Sequence, residues 1–216
     1  MENIQKNTSP VQRRKPAPTT FIFVRHGQTV WNLQGRWQGW LDSPLTGEGA
    51  AQAREAAKEL RHTKIDLAFC SDTARAIETA RIILRGHGLT AAEPVKALRE
   101  RFYGGWEGLN ALEIVEQFPG THFDVSRDSR DTHRPPGGEA MFEVRHRVVE
   151  FLRELVGKRP GKTILLVTHS GVVRVADSIS SEKPFRDIWH RTPPNACIFT
   201  IRGHADGHFE IVKGFD

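Results

Sequence analysis

An arginine, a histidine and a glycine stand together at positions 25–27, directly behind the apolar run Phe21-Ile22-Phe23-Val24. A histidine at such a place is a candidate nucleophile, base or metal ligand. Arg25 beside it favours an anionic oxygen, because its guanidinium is permanently charged and forked. The same positive charge disfavours imidazolium and keeps His26 neutral and nucleophilic. An arginine next to a neutral histidine points to phosphoryl chemistry. Three residues are a weak motif by themselves, and a strand-end histidine satisfied by backbone is the ordinary alternative.

Three further segments change that weighing. Ser71-Asp72-Thr73-Ala74-Arg75 follows a second apolar run, 65–70, and puts Arg75 near a helix start, where backbone N–H groups attract anions. Thr168-His169-Ser170-Gly171 follows a third run, 163–167, with a tight turn expected after His169. Leu98-Arg99-Glu100-Arg101 precedes the glycine-rich turn Tyr103-Gly104-Gly105-Trp106-Glu107-Gly108 and sets a carboxylate behind a short expected strand, 94–98. In open α/β sheets, ligands bind beyond the carboxyl ends of the strands. Four such ends converging on one pocket would bring together two histidines, two arginines and a glutamate.

The order and spacing of Arg25-His26-Gly27 with Asn32, the 71–80 segment, Glu100 with its turn, and Thr168-His169 resemble the histidine phosphatase superfamily, in the branch that includes cofactor-dependent phosphoglycerate mutase. The resemblance spans nearly all of residues 21–212. It implies that His26 attacks phosphorus and carries the phosphoryl group, while Arg25, Arg75 and His169 grip the non-bridging oxygens and Asn32 adds a neutral donor. It further implies that Glu100 protonates the leaving oxygen and then deprotonates the hydrolytic water, with no cofactor and no metal. Gln28 and Gln38 are weaker candidates for substrate contact. Ser170 stands where many relatives carry glycine and is a fourth such candidate. Arg134-Pro135-Pro136-Gly137-Gly138-Glu139-Ala140 resembles the Pro-x-Gly-Glu segment of the phosphatase members, and the insertion before it is short. Hydrolysis of a small phosphomonoester is therefore the favoured reading. Mutase-type phosphoryl transfer and non-catalytic binding of a phospholigand are the alternatives.

The remaining candidates have bland readings beside them. Trp31, Trp37, Trp40 and Trp106 either wall a substrate pocket or simply pack. Arg174 could reach a substrate, but a pair with Asp177 three residues on along one helix is the expected role. The other histidines match no motif and read as surface or structural residues. The two key histidines lack His-x-x-x-His metal spacing, and Ser170 lacks a Gly-x-Ser-x-Gly elbow.

These residues need a scaffold. The runs 21–24, 65–70 and 163–167 have little polar alternation, so they read as buried strands of a sheet covered on both faces. Helical patterns lie at 50–60 after Leu45-Thr46, at 74–84 before Gly86, at 139–156 closed by Gly157, at 172–180, and weakly at 111–118. Residues 195–202 and 208–212 read as a strand pair around Asp206-Gly207. The expected fold is α/β: a three-layer sandwich, a mainly parallel central sheet flanked by helices, phosphoglycerate mutase-like by the resemblance. Residues 1–20 read as a flexible N-terminal tail and 21–216 as one catalytic domain, with about 101–137 inserted beside the active site.

Composition fits this reading. The 216 residues carry 31 basic and 26 acidic groups, a net charge of +5 that invites a nucleic-acid partner. Residues 1–20 hold Lys6, Arg13, Arg14 and Lys15 against Glu2, so most of the excess lies in the tail. No basic recognition pattern accompanies it. No apolar run approaches the ~20 residues of a membrane span. Two cysteines, Cys70 and Cys197, do not make a disulfide framework, and no signal-peptide core follows the basic residues. The expectation is a cytoplasmic protein whose partner is a small phosphorylated substrate, not nucleic acid or membrane.

Overall fold

The computed structural model describes residues 16–121 and 131–215. The expected tail, in its residues 1–15, and the insertion, in its residues 122–130 with His122, lie outside the described residues. In chain order the elements are β1 (Thr19–Arg25), α1 (Val30–Leu33), α2 (Gly47–Leu60), β2 (Leu67–Cys70), α3 (Ala74–Leu84), β3 (Glu93–Pro94), α4 (Ala111–Gln117), α5 (Met141–Lys158), β4 (Thr163–Thr168), α6 (Ser170–Ser181), α7 (Phe185–Ile188), β5 (Ile198–Gly203) and β6 (Phe209–Lys213). The sheet runs β3-β2-β4-β1-β5-β6. β3, β2, β4 and β1 are parallel, β5 is antiparallel to β1, and β6 to β5.

The strands lack polar alternation because both faces are buried. Along β1, Phe21 and Phe23 enter one hydrophobic cluster while Ile22 and Val24 enter another. Ile164 and Leu166 of β4 divide from Leu165 and Val167 in the same way. The first cluster is closed by α5 and α6, the second by α2 and α3. On α5 the buried stripe is Met141, Val144, Val148, Leu152 and Leu155, at helical spacing.

Several boundaries differ from those expected. β1 starts at Thr19, not Phe21, because Thr19 is fully buried and its hydroxyl donates to the Arg159 carbonyl at 3.0 Å. Residues 94–98 are not a strand: only Glu93 and Pro94 pair with β2, and Lys96–Leu98 coil into a 3₁₀ turn. That turn lifts the chain off the sheet edge toward Glu100. α5 passes through Gly157 instead of stopping there. No turn separates His169 from a helix; His169 is itself the N-cap of α6.

Candidate active site

Register brings the two histidines together. Arg25, the last residue of β1, lies opposite Thr168, the last of β4, and the His26 N–H donates to the Thr168 carbonyl at 2.8 Å. The next residue on each strand is thus a histidine, and the two ring centroids are 5.2 Å apart. Behind His26 the chain must turn against α2. A Cβ on Gly27 would meet the Gly49 carbonyl oxygen at 2.3 Å, so this crossing admits only glycine.

The hydrogen bonds fix opposite tautomers. His26 Nδ1 lies 2.8 Å from the Gly27 carbonyl, which can only accept, so Nδ1 carries the proton and Nε2 keeps its lone pair. His169 Nδ1 lies 3.3 Å from Arg75 Nη2, which can only donate, so the His169 proton sits on Nε2. Burial, followed by the charges of Arg75 and Arg25, holds the His26 imidazole well below its ordinary range. Burial and Arg75 do the same to His169. Both rings are neutral at pH 7.

Arg75 is 1% exposed and is held by a single loop. Its Nη1 donates to the Leu41 carbonyl at 2.7 Å and pairs with Asp42 at 3.0 Å; its Nη2 donates to the Gly39 carbonyl at 2.7 Å. Asp42 also accepts from the Ala74 and Arg75 amides, capping α3 in place of Thr73, whose side chain makes no cap bond. Glu107 fastens that loop by accepting from the amides of Trp40 at 2.8 Å, Leu41 at 3.3 Å and Tyr103 at 3.1 Å.

Glu100 is 8% exposed. Its carboxylate accepts from the Arg101 amide at 2.8 Å and from Gly171, in the first turn of α6, at 3.1 Å. A Cβ on Gly171 would lie 2.2 Å from Glu100 Oε1, so a side chain there would displace the carboxylate. The main chain beneath is gathered by Arg147 of α5, which donates to the carbonyls of Ala97, Arg99 and Glu100 at 2.7–2.9 Å and pairs with Glu139.

One cleft of about 320 Å³ collects these groups: Arg25, His26, Asn32, Gln38, Arg75, Glu100, His169 and Ser170 all line it. A larger groove of about 830 Å³ runs between α2 and residues 194–198, yet contains no histidine. Chemistry, not size, marks the site. Arg25 Nε, Arg75 Nε and His169 Nε2 are buried without a partner, and each is a donor. Buried donors left unpaired are costly, and three on residues lining one cleft are groups that an oxyanion can satisfy.

Of the nine sequence candidates only Gln28 stays outside the cleft; its side chain accepts from the Thr46 hydroxyl at 2.9 Å beside α2. Of the four tryptophans only Trp37 lines the cleft, edge-on to Tyr103 at 4.6 Å. The expected Arg174–Asp177 pair does not form. Asp177 is fully buried and pairs with Arg191 at 2.6 Å, while Arg174 turns into the cleft. Arg36, Tyr103 and Thr192 also line the cleft, with Gly35 and Gly39, and sequence did not single them out. Asp42, Glu107 and Arg147 also escaped notice. Their contacts span 33, 66 and 47 residues, and no local pattern announces them.

Residues 21–216 match the histidine phosphatase superfamily (branch 1). A 2,3-bisphosphoglycerate-dependent phosphoglycerate mutase of Cytophaga hutchinsonii is 37% identical over 158 residues, covering 71% of this chain and 73% of that protein. A metal-independent phosphoserine phosphatase of Arabidopsis thaliana is 33% identical over 157 residues, covering 72% and 66%. Among solved structures, a mycobacterial glucosyl-3-phosphoglycerate phosphatase in complex with VO3 superposes with a TM-score of 0.80 at 28% identity, covering 91% of this chain and 98% of that one.

Proposed function

The chain belongs to branch 1 of the histidine phosphatase superfamily, and from that premise we propose that it is a metal-independent phosphatase hydrolysing a small phosphomonoester through phosphohistidine on His26. The opposed tautomers carry this reading: one cleft holds an imidazole lone pair on His26 and an imidazole N–H on His169. The His26 Nε2 lone pair attacks phosphorus and the ester P–O bond breaks. The carboxyl of Glu100 gives its proton to the departing oxygen. Arg25, Arg75, His169 Nε2–H and Asn32 hold the three equatorial oxygens. The Asn32 amide oxygen already accepts from the Thr29 amide and from Asn195, which leaves its amide hydrogens for phosphate. In the second half the Glu100 carboxylate takes a proton from water, water oxygen bonds phosphorus, and the N–P bond breaks to return neutral His26. Fixed cations and neutral donors supply the charge stabilisation, so the scheme calls for no metal. Gln38 and Ser170, which line the same cleft, are the further substrate contacts of this reading.

Hydrolysis is preferred to isomerisation because residues 134–140, before α5, resemble the Pro-x-Gly-Glu segment of the phosphatase members and the insertion ahead of them is short. Their backbone packs directly on the turn after Glu100: the Gly105 amide donates to the Pro136 carbonyl and the Glu139 amide to the Phe102 carbonyl, at 2.9 and 2.8 Å. Residues 21–216 act as the catalytic domain, and Tyr103, at the start of the 101–137 segment, lines the cleft. The substrate is a small phosphate ester, not nucleic acid or membrane. Among the described residues no helix is long and apolar enough to cross a membrane. We place the protein in the cytoplasm, where Cys70 and Cys197, both unpaired, stay reduced.

The test compares phosphate release from a phosphomonoester panel with isomerisation of 3-phosphoglycerate, with and without EDTA. We expect release that EDTA leaves intact and that His26→Ala lowers by more than about 10³-fold. Isomerisation far exceeding hydrolysis would give the mutase reading instead.

A further inference from the structure

Four arginines line the cleft, and three are accounted for. Arg36 makes a two-pronged pair with Glu113 at 2.8 and 3.1 Å. Arg75 pairs with Asp42 at 3.0 Å. Arg25 adjoins His26 and faces the transferring phosphoryl group. Arg174 has no such role. Its Nε donates to the Arg191 carbonyl at 2.8 Å, its Nη2 to the Thr192 hydroxyl at 3.0 Å, and its guanidinium lies 5.1 Å from the centre of the Trp189 ring. These contacts fix its plane without neutralising it. Among the described residues no carboxylate pairs with it, and no hydrogen bond engages its Nη1.

From this arrangement we infer that Arg174 and Thr192 form a second anion subsite, and that the substrate is a phosphomonoester carrying a further anionic group, a carboxylate or a second phosphate. The inference rests on the phosphatase reading of the same cleft. Arg174 follows Ser170 by four residues on α6, one helical turn along the face that begins beside His169. Arg174 lines the same cleft of about 320 Å³ as Arg25, His26 and His169, so one small substrate can reach both groups. Charge favours an anion there. Burial is the main cause that lowers the ionisation of Arg25, and the positive charge of Arg174 lowers it further. Tyr103, near both, is neutral, its hydroxyl pushed up by burial. Glu100 is the one acidic group in the lining and must itself be protonated for the first step. A dianionic phosphate answers the inner cations, and a second negative group answers Arg174.

Matched substrates test this. The pairs are 3-phosphoglycerate against glycerol 3-phosphate and O-phosphoserine against phosphoethanolamine, with propane-1,3-diyl bisphosphate as the second-phosphate arm. Wild type should favour the doubly anionic member in kcat/KM by roughly 10- to 100-fold, the scale of one charge-assisted hydrogen-bonded contact. Arg174→Met should lower kcat/KM for the doubly anionic member by that factor more than for its partner, mainly through KM. Arg174→Lys should recover part of the preference. The better of the carboxylate and bisphosphate arms identifies the group. Equal losses on both members of a pair, or no preference in wild type, would overturn the subsite and leave Arg174 as a brace for residues 191–192. Titrating the same compounds onto His26→Ala protein reads the preference as Kd without turnover. Failure of hydrolysis is thereby kept apart from failure of the subsite, and a cooperative melt of each variant confirms that it folds.

Discussion

At the scale of single residues, the cleft works by keeping two histidines neutral among arginines. Burial is the main cause and the flanking guanidiniums add to it. The unfolded chain lacks both influences, so each histidine there titrates near 6.5. As pH falls through about 6.5 the unfolded state takes up protons that the native state refuses, and native stability declines. The midpoint of thermal unfolding should therefore drop between pH 7.5 and 5.0, and should drop less steeply for the double variant His26→Asn/His169→Asn. Identical slopes would contradict the account. Glu100 gives a kinetic prediction at the same scale. Glu100→Gln preserves an acceptor for the Arg101 or Gly171 amide but cannot shuttle a proton, so kcat should fall ~10²- to 10⁴-fold. The loss should shrink for esters with acidic leaving groups such as p-nitrophenyl phosphate, since these need little protonation. A uniform loss across leaving groups would deny Glu100 the donor role.

At the scale of elements, short runs of sequence and long-range contacts divide the work. The groups proposed to meet phosphate stand in contiguous motifs at the ends of β1 and β4 and at the start of α3, and were legible as such. What aims them was not. Arg75 is oriented by Gly39, Leu41 and Asp42, a loop fastened in turn by Glu107. These partners are far apart in the chain and of ordinary type. The Arg174–Asp177 expectation failed for a related reason: a spacing of three allows a pair on an isolated helix but cannot tell that Asp177 faces the core. The clamp makes a prediction. Glu107→Ala strips the acceptor from three amides and should weaken competitive inhibition by inorganic phosphate as well as lower stability by about 1–3 kcal/mol. Because it acts through Arg75, its effect on kcat/KM should be clearly less than additive with Arg75→Lys. Glu107→Gln, which can keep its oxygen on the Trp40 and Tyr103 amides, should be milder. Full additivity would mean that the clamp does not act through Arg75.

At the scale of the whole molecule, a sheet buried on both faces supplies a rigid edge on which the cleft is mounted. The alternation of β1 and β4 residues between two clusters explains why the strands looked uniformly apolar, and this made the layered α/β fold readable in advance. The edge strand β3 was misjudged because two ladder residues leave almost no pattern. Leu152, fully buried in the cluster under α5, is remote from the cleft lining. Leu152→Ala should cost ~2–5 kcal/mol in urea unfolding, with kcat little changed in the protein that remains folded. The net charge also resolves at this scale. The cations that matter are the few gathered in the cleft, and most of the formal excess belongs to residues 1–20.

Everything proposed for the cleft turns on His26 carrying the phosphoryl group. Rapid quenching into alkali during turnover of a phosphomonoester, followed by peptide mass spectrometry, tests it directly, because phosphohistidine survives base and is lost in acid. Wild type should show an alkali-stable, acid-labile phosphoryl group on His26, formed as fast as the leaving alcohol is released and absent from His26→Ala. Turnover without phosphoryl on His26, or with phosphoryl on another residue, would contradict it.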